Sequence, residues 1–183
     1  HDVRHHITLM KKYLEDKDYD ALNEYLNNYQ KSIPDEHIFF CENSAVNAIL
    51  SYFSEQARTF GITYTVSASI PKHISISETD LSILFGNLLE NAIDACNAQS
   101  GEDKKIIVRA KTDNHSLCVT IDNTFSGSLD IDQEGHFVSS KHEGLGLGTE
   151  SIKSIAEKYG GVCQFESNNG MFYASVMCFK DHV

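Results

Sequence analysis

The sequence lacks long apolar runs, is poor in positive charge and has no closely paired cysteines. Its longest apolar stretches, such as Leu81–Leu89, are broken by polar residues. None approaches the roughly 18 apolar residues that a membrane-spanning helix needs, and no signal peptide is visible. Lys and Arg number 15 against 26 Asp and Glu, giving a net charge of −11. That balance argues against nucleic acid or an anionic membrane as the main partner. It leaves room for an anionic ligand held by backbone N–H groups and a metal. The five cysteines (Cys41, Cys96, Cys118, Cys163 and Cys178) are scattered and form no CxxC. Reduced thiols are therefore expected rather than disulfides, and a zinc site is not. There is no internal repeat, no low-complexity tract and no Walker GxxxxGK[ST] loop. The chain opens on a helical pattern without a starting Met, so further upstream sequence is expected.

What is there suffices for one packed domain and a smaller element, since the chain has 183 residues. Val3, Ile7, Met10 and Leu14 recur at helical spacing, and Leu22, Tyr25, Leu26 and Tyr29 repeat the pattern after a charged turn. Such a hairpin cannot bury both stripes by itself. It predicts dimerisation into a four-helix bundle, or docking on the rest of the chain. Ile33-Pro34-Asp35 breaks the pattern and divides the chain into residues 1–34 and 35–183. Beyond it, helices are expected over 44–60, from a cap at Ser77 or Thr79 to about Asn97, and over 149–159. Strands are expected over 62–70, 105–112, 116–122, 162–166 and 172–179, with hairpin turns at Asp113-Asn114-His115 and Asn168-Asn169-Gly170. Mixed helices and antiparallel hairpins point to an α+β sandwich.

Two patterns carry chemistry. On the apolar helix around Leu84–Ile93, Asn87, Glu90, Asn91 and Asp94 fall on one face at offsets of three, four and seven. A solvated face would give the same spacing. Two asparagines suggest more, because they are weak helix formers that water alone does not require. An amide oxygen is a good ligand for Mg²⁺, which keeps several waters and needs few protein groups. The second pattern is Gly144-Leu145-Gly146-Leu147-Gly148, which precedes a helix. Glycines at alternate positions let backbone N–H groups approach phosphates, and the helix start adds its positive end. A flexible loop without a ligand could carry the same glycines. A dinucleotide fold would need a strand directly before them, and a loop stands there instead.

Together these patterns resemble the nucleotide-binding domain of the GHKL superfamily, which unites gyrase, a heat-shock chaperone, histidine kinases and MutL. Asn87-Leu88-Leu89-Glu90-Asn91-Ala92-Ile93-Asp94-Ala95 is similar to its N box, and Gly144-x-Gly146-x-Gly148 to its second glycine box. The resemblance runs from about Glu42 to the C-terminus. It implies a Bergerat-type α/β sandwich with a mixed, largely antiparallel sheet, binding ATP with Mg²⁺. Asn91 would be the metal ligand, Asn87 and Asp94 would support the site, and the segment from Ser126 to Gly148 would be the ATP lid. Lys141 in that lid, rather than Arg109, would neutralise phosphate charge, with Thr149 at the following helix start. The first glycine box departs from the common DxGxG. Val119 and Ile121 alternate inward, so Asn123 is the next inward residue, and Asn123-Thr124-Phe125-Ser126-Gly127 aligns as NxxxG. Asn123 would accept from the adenine amino group as a neutral acceptor, with Asp122 as the alternative.

Asn87 stands where gyrase-like members carry a glutamate that activates water. An amide cannot take a proton, so the phosphoryl acceptor should come from elsewhere. His1-Asp2-Val3-Arg4-His5-His6 resembles the phosphoacceptor box of sensor histidine kinases, in particular the peptide quorum-sensing class. That resemblance implies His1 as acceptor, Asp2 fixing its tautomer, and Arg4 and His5 on the same helix face steadying phosphate or water. His5 replaces the usual Asn of that box, so a phosphatase role for His5 or His6 stays open. The implied whole is a homodimer on the cytoplasmic side of a membrane-anchored receptor. It would autophosphorylate and pass the phosphoryl group to an aspartate of a response regulator, typically of the LytTR type, without touching nucleic acid. Two rivals are a sporulation-type phosphotransfer scaffold with an inactive nucleotide site and an anti-sigma-type serine kinase.

Overall fold

The computed structural model describes residues 2–31, 38–101, 103–126 and 147–179. The chain forms two compact units, residues 1–37 and 38–183. The first is a helical hairpin of α1 (Asp2–Glu15) and α2 (Tyr19–Lys31). Helix α1 ends with Lys17 at φ 55°, where Lys17 N–H reaches Leu14 O and Asp18 N–H reaches Tyr13 O. This double bond pattern closes a helix with a left-handed residue, usually glycine. Asp18 Oδ1 then accepts from Ala21 N at 3.0 Å and starts α2. Inside the hairpin, His6 Nδ1 and the Tyr25 hydroxyl share a hydrogen bond, and the Tyr13 and Tyr25 rings lie 6.0 Å apart. Ile7, Leu14 and Leu26 stay exposed, while Met10, Leu22 and Tyr25 are half-buried.

The second unit is a two-layer sandwich. Its elements are α3 (Ser44–Thr59), β1 (Thr63–Ser69), α4 (Glu78–Ala98), β2 (Lys105–Thr112), β3 (Ser116–Thr124), α5 (Leu147–Lys158), β4 (Val162–Asn168) and β5 (Met171–Phe179). The strands lie in the order β1-β2-β3-β5-β4, with β1 and β2 parallel and the other neighbours antiparallel. Helix α3 lies against β1, α4 against β2 and β3, and α5 against β4 and β5. Among the described residues, the helices cover one sheet face. Ile106, Val108 and Ala110 of β2 and Leu117, Val119 and Ile121 of β3 are buried beneath the helices. Arg109, Lys111 and Cys118 between them are exposed. From α4 come Leu81, Leu84, Phe85, Leu88 and Leu89, each at most 3% exposed. A single such side chain contributes roughly 1.5–3 kcal/mol of burial.

Local chemistry sets the ends of these elements. Asn43 caps α3 through Val46 N, and Ser77, not Thr79, caps α4 through Asp80 N at 3.1 Å. Gly61 and Gly160, at φ 65° and 61°, end α3 and α5. The β4–β5 hairpin turns on Asn169 and Gly170, both with positive φ, as a two-residue turn requires. Asp113 Oδ1 accepts from His115 N and Ser116 N and makes the β2–β3 turn. Helix α5 begins at Leu147, two residues before the start expected from sequence. All five cysteines are free thiols; Cys41, Cys96 and Cys178 are buried.

Candidate functional site

The buried stripe of α4 points at the sheet, and its opposite face carries the polar residues. Asn87 and Asp94 are half-buried there, while Glu90 and Asn91 are exposed. Asn87 Nδ2 donates to Ile83 O at 2.7 Å, which fixes the amide and leaves Oδ1 as its acceptor end. That oxygen meets the start of α5. A Cβ added to Gly148 would lie 3.0 Å from Asn87 Oδ1 and 3.6 Å from both Asn91 amide atoms. The first turn of α5, with amides that have no partner in the helix, therefore abuts two asparagine side chains. Thr149 follows in the same turn, and Asp94 lies one turn beyond Asn91.

These groups can do two things together. A helix start attracts a phosphate, and amide oxygens suit a hard dication that keeps most of its water. Among the described residues no group of three His, Cys, Asp or Glu could hold a metal, so a cation here would rely on such neutral oxygens. Because it has no side chain, Gly148 lets the start of α5 come this close to the Asn87 and Asn91 amides.

The strand end beside α4 settles which residue faces the helices. Leu117, Val119, Ile121 and Asn123 alternate inward, and Asn123 is 2% exposed with Nδ2 donating to Thr124 O at 3.0 Å. Asp122 lies on the other face and binds Arg109 Nη1 at 2.6 Å. Asp122 is thus engaged away from the α4 side, and Arg109 is equally removed from the phosphate end. Cys96 Sγ lies within 3.6 Å of Thr124 O and Oγ1, so the last turn of α4 rests on the end of β3. Phe125, two residues past Asn123, donates its N–H to Gly170 O at 3.0 Å and meets the Phe172 ring edge-on at 6.4 Å.

The structure brings Asn87, Asn91 and Gly148 together, with Thr149 and Asp94 adjoining. His1, Gly127, Lys141, Gly144 and Gly146 lie outside the described residues, as does the break at Ile33-Pro34-Asp35. Asp2, Arg4 and His5 lie in α1, in the other unit. Sequence reasoning missed one cluster at the other end of the α4–α5 pair. Asp80 Oδ2 accepts from Ser77 Oγ at 2.6 Å, Lys158 Nζ at 2.7 Å and Tyr159 Oη at 2.6 Å. Those hydrogen bonds, Lys158's foremost, hold its carboxyl down at about 2. Only its local half, Ser77 and Asp80 three residues apart, was visible in the sequence.

Comparison with known proteins bears on the family and the fold. The family model described as a GHKL domain matches residues 76–178, more than half of the chain. A probable C4-dicarboxylate sensor kinase of Bacillus subtilis is 25% identical over 138 residues, covering 70% of this chain and 25% of that protein. The C4-dicarboxylate transport sensor protein DctB of Rhizobium meliloti is 37% identical over 84 residues, covering 44% of this chain and 13% of its own length. The chain thus spans a quarter or less of the curated relatives it matches. Among solved structures, the catalytic domain of histidine kinase ThkA superposes with a TM-score of 0.57 at 20% identity, covering 74% of this chain and 91% of that domain. The same kinase in complex with the response regulator protein TrrA gives a TM-score of 0.57 at 17% identity, covering 92% of this chain and 50% of that one. The fold is that of histidine kinase catalytic domains, and this chain belongs to the nucleotide-using GHKL family.

Proposed function

We propose that this chain is the kinase core of a sensor histidine kinase, transferring the γ-phosphoryl group of ATP to His1 and then to an aspartate of a response regulator. The observation that carries the reading is the approach of Gly148 to Asn87 and Asn91, with an amide at Asn87 where a water-activating site would hold a carboxylate. Residues 35–183 would be the ATP-binding domain, and residues 1–34 the dimerisation and phosphoacceptor hairpin. The exposed Ile7, Leu14 and Leu26 support pairing with a second copy. The named relatives are sensor kinases, which supports a membrane-anchored whole with this piece on the cytoplasmic side. The complex of ThkA with TrrA supports a response regulator as partner, and the His1–His6 box favours the LytTR type.

In this mechanism the chain's own groups bind, orient and exclude. Asn91 would ligate Mg²⁺ and Asn87 would support it; when bound, Mg²⁺ neutralises phosphate charge. Gly144, Gly146, Gly148 and Gly127 would bring backbone N–H groups close to the nucleotide, with Lys141 and Thr149 adding contacts to phosphate. Asn123 would accept from the adenine amino group. Asp2 would hold a proton on one His1 ring nitrogen, leaving the other nitrogen's lone pair to attack. The N–P bond forms as the bond to the β–γ bridging oxygen breaks, and ADP leaves with that electron pair. Arg4 and His5 would steady the transferred group. With an amide at position 87, water lacks a base and ATP waits for the histidine.

The test is incubation with γ-labelled ATP and Mg²⁺, followed by acid and base treatment of the labelled protein. Acid-labile, base-stable label that disappears in His1→Gln is the expected result. Label on serine would favour the anti-sigma-type kinase. No label together with no Mg²⁺-ATP binding would favour the scaffold reading.

A further inference from the structure

We propose that the Ser77–Asp80–Lys158–Tyr159 cluster positions the nucleotide site by fixing where the start of α5 meets the asparagine stripe of α4. The inference rests on the nucleotide reading of that stripe. Helices α4 and α5 run in opposite directions, because the start of α4 is bonded to the end of α5 and Gly148 lies beside Asn87 and Asn91. At 1.5 Å per residue, Asp80 lies about 10 Å along the helix from Asn87 and about 16 Å from Asn91. Gly148 lies about 15 Å from Lys158 on the same rise. The two arms match in length. A joint at one end therefore sets the register of amides against helix start at the other.

The joint is built as a fixed one. A single oxygen of Asp80 takes three bonds from Ser77, Lys158 and Tyr159, and the Tyr159 hydroxyl also accepts from Ser77 N at 3.1 Å. Tyr159 is 3% exposed, and its backbone oxygen accepts from Phe179 N at 2.9 Å, which ties the same end of α5 to the sheet. Beyond it, Gly161 sits so close to β5 that a Cβ would fall 1.7 Å from Met177 O. The end of α5 is held by helix, side chain and sheet at once. Its start, at Gly148, lies against Asn87 and Asn91, so an error at the joint is carried along a rigid helix to the phosphate end.

The test uses Asp80→Asn and Tyr159→Phe in the full chain, with thermal unfolding as a control for loss of fold. In the ligand-free protein, the Gly148 amide and the Asn87 and Asn91 side-chain NH₂ resonances should shift in ¹H–¹⁵N spectra, while those of Gly61 and Gly170 stay. Affinity for a fluorescent ATP analogue should fall about tenfold with Mg²⁺ present, as for other positioning contacts behind a metal ligand. Without Mg²⁺ it should change less than about twofold, since phosphate contact alone is less sensitive to amide position. Unmoved resonances at positions 87, 91 and 148, with a lowered Tm alone, would overturn the proposal, as would equal loss with and without Mg²⁺. A wild-type chain that binds no Mg²⁺-nucleotide would sink the nucleotide reading instead, and the resonances would still decide the positioning role. If Asp80→Asn does not fold, Tyr159→Phe, which leaves every charge in place, decides alone.

Discussion

Replacing Gly148 with alanine separates stability from ligand binding at this site. The added Cβ would stand 3.0 Å from Asn87 Oδ1, about 0.4 Å inside the ordinary contact limit of 3.4 Å. Asn87 cannot swing away freely, because its Nδ2 is bonded to Ile83 O. Relief means losing that bond, at about 1 kcal/mol, or shifting the start of α5. Alanine in place of glycine in a helix returns up to about 1 kcal/mol. The two nearly cancel, so Tm should move by no more than about 3 °C. Binding has no such compensation. The methyl group presses on Asn87 Oδ1, and small displacements of positioned groups cost steeply. Mg²⁺-ATP affinity should fall about tenfold, or about 1.4 kcal/mol, in titration calorimetry. Wild-type affinity in Gly148→Ala with an unchanged Tm would refute the placement of metal and phosphate beside these amides.

Other outcomes follow from single features. The carboxyl of Asp80 titrates at about 2 rather than 3.8, so its stabilisation is complete above the unfolded value and is lost as pH falls toward 2. Lys158 is 60% exposed, and water screening lowers the contribution to about 1–2 kcal/mol. Urea unfolding of wild type and Asp80→Asn should converge across that acid window; a gap independent of pH would contradict it. The Tyr64 hydroxyl is buried with no partner among the described residues, so Tyr64→Phe should be neutral or stabilise by up to about 1 kcal/mol. A loss greater than that would show the hydroxyl to be bonded. Gly161→Ala should cost about 3 kcal/mol, because the clash is with strand backbone that cannot give way. Gly86→Ala, with nothing within 4 Å, should gain about 0.5–1 kcal/mol in the same denaturation assay.

Features encoded within a few residues were legible before the structure. The turn at Asn169-Gly170 acts through its own backbone and the cap, expected at Ser77 or Thr79, through a hydroxyl three residues from its partner, so the residue types name the geometry. The asparagine stripe was legible for the same reason, since helix period alone puts Asn87 and Asn91 on one side. Strand period two likewise separated Asn123 from Asp122. Arg109 was harder, because its partner Asp122 comes from a neighbouring strand and the pair forms on the sheet face away from α4. The Asp80 joint was harder still. Its lysine and tyrosine lie 78 and 79 residues away, and no local pattern announces such a pairing.

The one-sided sandwich shapes how this chain can diverge. Along β2 and β3 nearly every second side chain is committed to the core, while most of its neighbours look outward to water. Substitutions there should fall into two alternating populations, tolerated and costly, with little between. Apart from the Arg109–Asp122 pair, the outward population can change charge and shape, because the sheet itself separates it from Asn87, Asn91 and Gly148. Descendants could therefore acquire new contacts on one side and keep an unchanged chemistry on the other.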